Sequence, residues 1–227
     1  MNRGPFEPNF EDLPKQIPLF PLSGALLLPG GRLPLNIFEP RYLAMVKDAM
    51  ATSGRLIGMI QTQSHLQKAD GQKADAQKDE LFSIGCAGRI VDFSESDDGR
   101  LLITLAGTAR FRYLQDRLVS DGYRLGDVDF SEFKDDLVPD TNLIDRGKLI
   151  DVLKSYFEIK GFSADWSHID ECEDERLITT LAMICPFAVS EKQALLETAD
   201  LSARSELLIA ILEMSTHNGE ASPKAQH

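Results

Sequence analysis

The period of the hydrophobic pattern changes near residue 135, and this change constrains the fold more than any other feature of the sequence. Before it, residues 108–113 alternate strictly, with Ala109 and Phe111 on one face and Arg110 on the other, as in a half-buried strand. After it, apolar residues recur at i, i+4, i+7 and i+8, as an amphipathic helix requires; they are Leu149, Leu153, Tyr156 and Phe157. The sequence therefore predicts an α+β chain in which the strands precede most of the helices.

The first part of the chain contains short apolar runs that are closed by turn residues. The Asp98-Gly99 pair is typical of a hairpin. One helix interrupts the runs, with Pro40 in its first turn and Gly54 as its stop. The predicted strands cover residues 17–22, 25–28, 56–61, 84–93, 100–106, 108–113 and 123–130. Strands at this spacing favour a mostly antiparallel sheet that curls into a barrel.

The second part of the chain has the start and stop signals of several helices. Asp170-x-x-Glu173 resembles a capping box, and the helix after it would end at Pro186. Ser190-x-x-Gln193 resembles a second capping box, and a last helix is predicted over residues 202–215. These signals predict a helical bundle.

Composition divides the chain into predicted segments. Residues 67–80 have no apolar side chain larger than alanine, which is typical of a solvated connection, and Pro139 marks a break between the two parts. We expect a flexible N-terminal tail at 1–12, a β-barrel with one helix at 13–132, a mobile loop at 62–80 inside it, a linker at 133–147, a helical bundle at 148–217 and a flexible tail at 218–227.

The formal net charge of −12 is unevenly distributed. Residues 1–130 hold 15 basic and 17 acidic residues, whereas residues 131–227 hold 9 and 19. Nucleic-acid binding depends on phosphate neutralisation, so it is disfavoured. RNA binding remains an alternative, because six arginines lie between Arg89 and Arg124 and the rings of Phe111 and Tyr113 could stack on bases. The same window holds six acidic residues, and the rings are predicted to be core.

Cellular location is predicted from what the sequence lacks. Residues 1–16 contain no apolar stretch of the kind found in a signal peptide, and no apolar run is long enough for a transmembrane helix. Three cysteines, an odd number, indicate a reducing compartment. We expect a cytoplasmic protein with no membrane partner.

Motifs that carry chemistry are largely absent from the sequence. It contains no Gly-x-x-x-x-Gly-Lys-Ser/Thr phosphate loop, no Gly-x-Ser-x-Gly elbow and no His-Glu-x-x-His metal helix. His168 and Cys172 at i, i+4, with Cys185 further on, could hold a metal, but a fourth ligand is missing. A near-surface histidine with two buried thiols is the favoured interpretation. We predict no catalytic residue, no metal and no cofactor.

Several motifs in order resemble the N-terminal, substrate-binding domain of Lon proteases, over residues 13–212. They are Ile17-Pro18-Leu19-Phe20-Pro21-Leu22, Leu28-Pro29-Gly30, Leu33-Pro34-Leu35, Ile37-Phe38-Glu39-Pro40-Arg41-Tyr42, Ile84-Gly85-Cys86-Ala87-Gly88-Arg89-Ile90, Asp98-Gly99-Arg100, Gly107-Thr108-Ala109-Arg110-Phe111, Glu191-Lys192-Gln193-x-Leu195-Leu196-Glu197 and Arg204.

The resemblance implies a PUA-like antiparallel β-barrel followed by an α-helical bundle. It implies a module that binds unfolded or apolar polypeptide segments, or that serves a protease or chaperone as an adaptor. Lon proteases continue into ATPase and peptidase modules that this sequence does not contain, so we expect a stand-alone, bacterial-type domain without enzyme activity.

The proline-punctuated segment near the N-terminus is the predicted peptide-binding site. Prolines cannot donate hydrogen bonds to a sheet, which places them at edges and rims. The candidate residues are the large apolar side chains beside these prolines: Leu27, Leu28, Leu33 and Phe38. The alternative is that they are core residues. We expect Phe38 to be the more buried, because it precedes the helix at Pro40, and Leu33 to lie at the rim.

Overall fold

A six-stranded sheet organises the part of the chain that the structure describes. The structure is a computed structural model and describes residues 8–63, 80–138 and 143–220. The sheet order is β2-β5-β4-β3-β1-β6, and β6 also pairs with β5. This second pairing closes β1, β3, β4, β5 and β6 into a barrel and leaves β2 outside it, on the edge of β5. The strands are β1 (Gln16–Pro21), β2 (Arg32–Ile37), β3 (Leu56–Ile60), β4 (Ile84–Glu95), β5 (Leu101–Leu118) and β6 (Arg124–Asp129).

The 18 residues of β5 make the closure possible. Its first half pairs with β2, from Arg32 opposite Ala106 to Ile37 opposite Leu101. Its second half pairs with β6 as far as Leu118 opposite Arg124. All neighbouring strands are antiparallel except β1 and β3, which are parallel. A parallel pair needs a crossover connection, and here the chain passes through β2 and one helix between the two strands.

The helices of the described residues lie mainly after the barrel. Asp145 caps the first helix after the barrel, Arg146–Lys160, by accepting a hydrogen bond from the Lys148 amide at 2.9 Å, and Gly161 ends this helix with φ +69°. The α-helices are α1 (Pro40–Met50), α2 (Arg146–Lys160), α3 (Trp166–Glu171), α4 (Asp174–Ile184), α5 (Val189–Glu197) and α6 (Leu201–Glu220), and 3₁₀ turns cover Phe10–Asp12 and Ser131–Leu137.

Two apolar clusters form the core. The smaller one fills the barrel and includes Leu19, Phe111 and Phe130. The larger one joins the outer face of the barrel to the helices, from Phe20 through Leu105 to Leu212. The two parts of the chain therefore share the larger cluster, although their sequence patterns differ. This arrangement confirms the α+β prediction of a barrel followed by helices.

The predicted strand at residues 25–28 is wrong, and β2 was missed. Residues 25–28 have no strand structure, and the Leu28 carbonyl accepts a hydrogen bond from the Gly31 amide at 2.9 Å. The prolines explain the error. Pro34 argues against a central strand, but β2 is an edge strand, where a missing amide donor is tolerated.

Both predicted capping boxes are wrong. Asp170 lies inside α3, and Glu173 is the residue before α4. Helix α5 begins at Val189, and the Ala188 amide donates to Glu191 Oε2 at 2.7 Å. The last helix also continues beyond residue 215, to Glu220. At both predicted capping boxes the residue types are common at helix starts, but the helix begins at a different residue from the one predicted.

Parts of the predicted division lie outside the described residues: 1–7 of the N-terminal tail, 64–79 of the loop, 139–142 of the linker and 221–227 of the C-terminal tail. Within the described residues, the 1–12 tail contains the Phe10–Asp12 turn, the 133–147 linker begins inside the Ser131–Leu137 turn, and the 218–227 tail overlaps α6. The division into units at 133–147 stays a prediction.

Candidate functional site

The structure does not bring the four predicted site residues onto one surface. Leu27 and Leu28 are buried in the core, and Leu33 is half-buried against it. Phe38 is 62% exposed, so its expected burial beneath α1 is wrong. The reason is strand alternation, because Ile37 points into the core and the next side chain then points outward. A groove lined by Leu27 and Leu28 is therefore also wrong.

Phe38 directly follows β2, the strand at the edge of the sheet, and a second exposed apolar residue lies on the neighbouring strand β5. Leu102 pairs with Asn36 of β2 and is exposed. The Arg100 guanidinium lies 5.9 Å from the centre of the Phe38 ring. Phe38 and Leu102 form a small apolar surface, which we call the edge patch.

A larger apolar groove lies in the helical part, between α2, α3 and α4. Its volume is about 1070 Å³. Its apolar lining includes Phe157, Phe162, Ile169, Leu177, Leu181 and Ile184. Its polar lining includes Asp165, His168, Glu171 and Arg176. Phe162 is 45% exposed and Ile184 is 66% exposed, so two large apolar side chains face solvent at this groove. We call it the helical groove.

Local signals in the sequence build one wall of the helical groove. Gly161 turns the chain sharply after α2, and the Phe162 amide donates to the Phe157 carbonyl at 2.8 Å. The Phe157 and Phe162 rings then meet edge to face at 5.7 Å. Asp165 caps the start of α3, because its Oδ1 accepts hydrogen bonds from the backbone amides of Ser167 and His168. The aromatic wall is thus set by a glycine stop and an aspartate cap.

The residues of the hypothetical metal site do not converge. His168 is exposed and lies 3.0 Å from Asp165 Oδ2. Cys172 is half-buried, which corrects the expectation of a second buried thiol, and Cys185 is buried. Across the described ranges, no group of three His, Cys, Asp or Glu side chains could hold a metal ion.

Burial raises the pKa of the Cys185 thiol to about 11, from 9.0 for a free thiol. Because the folded pKa is the higher one, the stabilisation is complete below pH 9 and is lost as the pH rises through 11. We expect this thiol to contribute about 2 kcal/mol to the loss of unfolding free energy between pH 9 and 11. Urea denaturation at pH 8, 9, 10 and 11 measures it.

Cys185→Ala is the control for this alkaline loss, because it removes the thiol and keeps a small apolar side chain. Burial lowers the pKa of the neighbouring Lys192, which acts in the opposite direction, so the difference between the two proteins isolates the thiol. An identical pH dependence in both proteins would contradict the assignment.

A buried arginine joins the barrel to the helices, and the sequence pattern missed it. Arg110 was predicted to face away from the core, but it is only 5% exposed. Its Nη2 lies 2.6 Å from Asp136 Oδ1. It also donates hydrogen bonds to the carbonyls of Leu196, Thr198 and Ala199. The alternation of β5 is as predicted, but helices cover the face that was expected to be exposed.

The motif of residues 191–197 also proves to be part of this junction. Lys192 Nζ donates to the Gly24 carbonyl at 2.9 Å and to the Met183 carbonyl at 3.2 Å. Gln193 Nε2 donates to the Ile84 carbonyl at 3.1 Å. Polar side chains on the buried face of α5 were the available signal, since such groups are buried only when they are hydrogen-bonded.

The surface suggested for RNA stacking is not formed. Phe111 is fully buried inside the barrel, and Tyr113 packs against the same cluster. Arg112 pairs with Glu132 at 2.5 Å, and Arg124 pairs with Asp116 at 2.7 Å. Phe111 is a core residue, as the sequence predicted, whereas Tyr113 is half-buried. Among the helices of the described residues, none has the length and apolar character that crossing a bilayer requires.

Comparison with known proteins gives consistent matches. The family model of the ATP-dependent protease La (LON) substrate-binding domain matches residues 16–214. Lon protease 2 of Myxococcus xanthus is 29% identical over 209 residues, which are 90% of this chain and 24% of that protein. Lon protease of Anaeromyxobacter dehalogenans is 27% identical over 209 residues, with the same two shares. The chain thus spans about a quarter of the length of these relatives.

Solved structures agree with these matches. A Lon N-terminal domain protein from Xanthomonas campestris has a TM-score of 0.56 and 26% identity, and the match covers 86% of this chain and 97% of that one. The N-terminal domain of a Mycobacterium avium complex Lon protease has a TM-score of 0.57 over 88% of this chain and 98% of that one, and at 17% identity it supports the fold alone.

Proposed function

The chain belongs to the family of ATP-dependent protease La (LON) substrate-binding domains, and from this membership we propose that it is a non-enzymatic module that binds unfolded or apolar polypeptide segments. The family description supports protein substrates, and the Lon proteases that match it support association with a protease as an adaptor. The relatives' ATPase and peptidase activities are not part of the proposal, because the matched residues correspond to a substrate-binding domain.

The helical groove is the observation that carries this proposal. It is open, it is lined by aromatic and aliphatic side chains, and it exposes Phe162 and Ile184. An extended segment could place its apolar side chains against these walls and be held by burial of apolar surface.

Charge complementarity indicates what flanks the bound segment. Residues 131–227 hold 9 basic and 19 acidic residues, and at the helical groove itself the carboxylates of Asp165 and Glu171 outnumber the guanidinium of Arg176. Basic residues on either side of an apolar segment would meet this acidic surface favourably. We propose apolar segments flanked by lysine or arginine as the preferred occupants.

A substitution at the helical groove tests this site. We expect Ile184→Asp to weaken binding of a labelled Leu/Ala peptide with two flanking lysines at each end by at least about tenfold, because it places a charge in the apolar contact. The exposed position predicts a change in unfolding free energy within about 0.5 kcal/mol. Fluorescence anisotropy measures the binding, and urea denaturation measures the stability.

Met214→Asp is the matched control, because Met214 is a similarly exposed apolar residue on α6 that does not line the helical groove. It should leave peptide binding unchanged. The same peptide with flanking glutamates should bind more weakly than the lysine peptide. Equal losses from Ile184→Asp and Met214→Asp, or no loss from either, would exclude the helical groove as the binding site.

The edge patch provides a second test, which compares two of the predicted site residues, Leu33 and Phe38. We propose that Phe38 contributes to client binding, so Phe38→Asp should weaken binding of the lysine-flanked peptide while changing the unfolding free energy by no more than about 0.5 kcal/mol. Leu33 packs against the core, so Leu33→Asp should destabilise the fold by several times that amount. Comparing the urea midpoints and anisotropy of the two variants separates these roles. Unchanged peptide binding in a stable Phe38→Asp variant would remove the edge patch from the proposal.

A further inference from the structure

A second cavity, of about 930 Å³, lies at one end of the barrel. The start of β2, the turn before β3 and the middle of β4 form its walls. Three arginines line it, Arg32, Arg55 and Arg89, together with one acidic residue, Asp12. The other lining residues are Pro8, Ser53, Gly54, Leu56, Ile90 and Val91. We call it the arginine cavity, and it is separate from the helical groove and the edge patch.

Strand register brings two of these arginines to the same face. Ala106 of β5 pairs with Arg32 on one side and with Arg89 on the other. Residues directly opposite in a sheet point to the same face, so the two arginine side chains flank a single small methyl group. Their Cα atoms are about 10 Å apart, which is twice the strand spacing. Arg89 also pairs with Leu56, the residue after Arg55.

Arg55 is held in an unusual backbone conformation. It has φ +48°, and no other non-glycine residue in the described ranges has a positive φ. Its amide donates to Thr52 Oγ1 at 3.1 Å, and its carbonyl accepts from the Ile90 amide at 3.0 Å. Such a conformation costs of order 1 kcal/mol and persists only where the surroundings impose it. The turn therefore holds Arg55 at the cavity, although its backbone conformation lowers the free energy of unfolding.

None of the three guanidinium groups has a hydrogen bond or an ion pair with another residue of the described ranges. Asp12, which is hydrogen-bonded to the Asn9 amide and to Asn9 Nδ2, is the one carboxylate among the described lining residues, so it offsets one of the three positive charges. By contrast, several arginines elsewhere in this acidic chain pair with carboxylates, as Arg110 and Arg124 do. The cavity thus concentrates uncompensated positive charge in a protein of net charge −12.

We propose that the arginine cavity binds a compact anion that carries two or more linked phosphate groups. Guanidinium groups match phosphate oxygens in a bidentate geometry, and three arginines on β2, on β4 and in the turn before β3 can each contact a different phosphate group of a linked anion. Among the described residues no aromatic side chain lines the cavity, so they offer no surface on which a nucleobase could stack. Such a site would give the protein an anion ligand in addition to a polypeptide.

Isothermal titration with sodium tripolyphosphate tests the site. We expect saturable binding that weakens as salt is raised from 50 to 300 mM, because exposed charges are screened. Arg32→Gln and Arg89→Gln should each weaken binding at least about tenfold, since each removes a charge-assisted contact. Asp12→Asn should strengthen it by about threefold, because it removes a negative charge from the cavity wall.

Arg117→Gln is the matched control, because Arg117 is an exposed arginine of β5 outside the cavity, and it should leave binding unchanged. Ile184→Asp should also bind tripolyphosphate normally, which separates this proposal from the polypeptide site. If Arg89→Gln unfolds, Arg32→Gln and Asp12→Asn still give opposite expected shifts. Absence of saturable binding at millimolar tripolyphosphate would overturn the proposal, as would equal effects of Arg32→Gln and Arg117→Gln. Tighter binding of an RNA oligonucleotide or a glutamate-rich peptide, lost in the same variants, would also overturn it.

Discussion

Replacing Arg110 with methionine should lower the free energy of unfolding by about 3–5 kcal/mol, because it leaves the Asp136 carboxylate buried without its partner. Both side chains of this pair are almost fully buried, at 6% and 7% exposure. The substitution would also remove the donor to the carbonyls of Leu196, Thr198 and Ala199. Urea denaturation followed by circular dichroism measures the loss.

Arg112→Met is the control for this prediction. Arg112 lies two residues after Arg110 on β5 and pairs with Glu132, but the two side chains are 40% and 53% exposed. We expect a loss of less than about 1 kcal/mol, because water already solvates both charges. The double variant Arg110→Met/Asp136→Leu should recover much of the stability of Arg110→Met, since it removes the unpaired charge. Equal effects of Arg110→Met and Arg112→Met would show that the buried pair does not join the barrel to the helices.

Gly107→Ala should destabilise the protein by several kcal/mol, because the added methyl group collides with backbone rather than with a movable side chain. A Cβ at this position would lie 2.7 Å from the Leu28 carbonyl carbon and still closer to its oxygen. Gly107 also exchanges two hydrogen bonds with the same loop, to Gly31 at 2.9 Å and from Gly30 at 3.0 Å. The methyl group would separate the loop of residues 25–31 from β5.

Gly147→Ala is the matched control, because a Cβ there would make only an ordinary contact, 3.7 Å from Asp145 Oδ1, in the first turn of α2. Alanine favours a helix more than glycine, so this variant should be neutral or stabilised by up to about 1 kcal/mol. Thermal and urea denaturation compare the two variants. A Gly107→Ala protein as stable as Gly147→Ala would mean that the loop and β5 separate without a large loss of packing.

The local sequence pattern determined the type of most elements. Alternation identified residues 108–113 of β5, an apolar run closed by turn residues identified much of β4, and helical spacing identified α1, α2, α4 and α6. The order of the motifs identified the family, which the family model over residues 16–214 confirms. These features depend on neighbouring residues along the chain, so they can be read without knowing what packs against them.

Tertiary structure alone decided which surfaces are buried and which are open. Arg110 alternates correctly along β5 but is covered by the end of α5, whereas Phe38, which alternation also turns away from the core, stays 62% exposed. The arginine cavity depends on register, since Arg32 and Arg89 become neighbours only across Ala106, 74 and 17 residues away along the chain. Pairings between residues so distant in sequence leave no periodic signal, because burial and charge at such positions are set by the partner segment and not by the local chain.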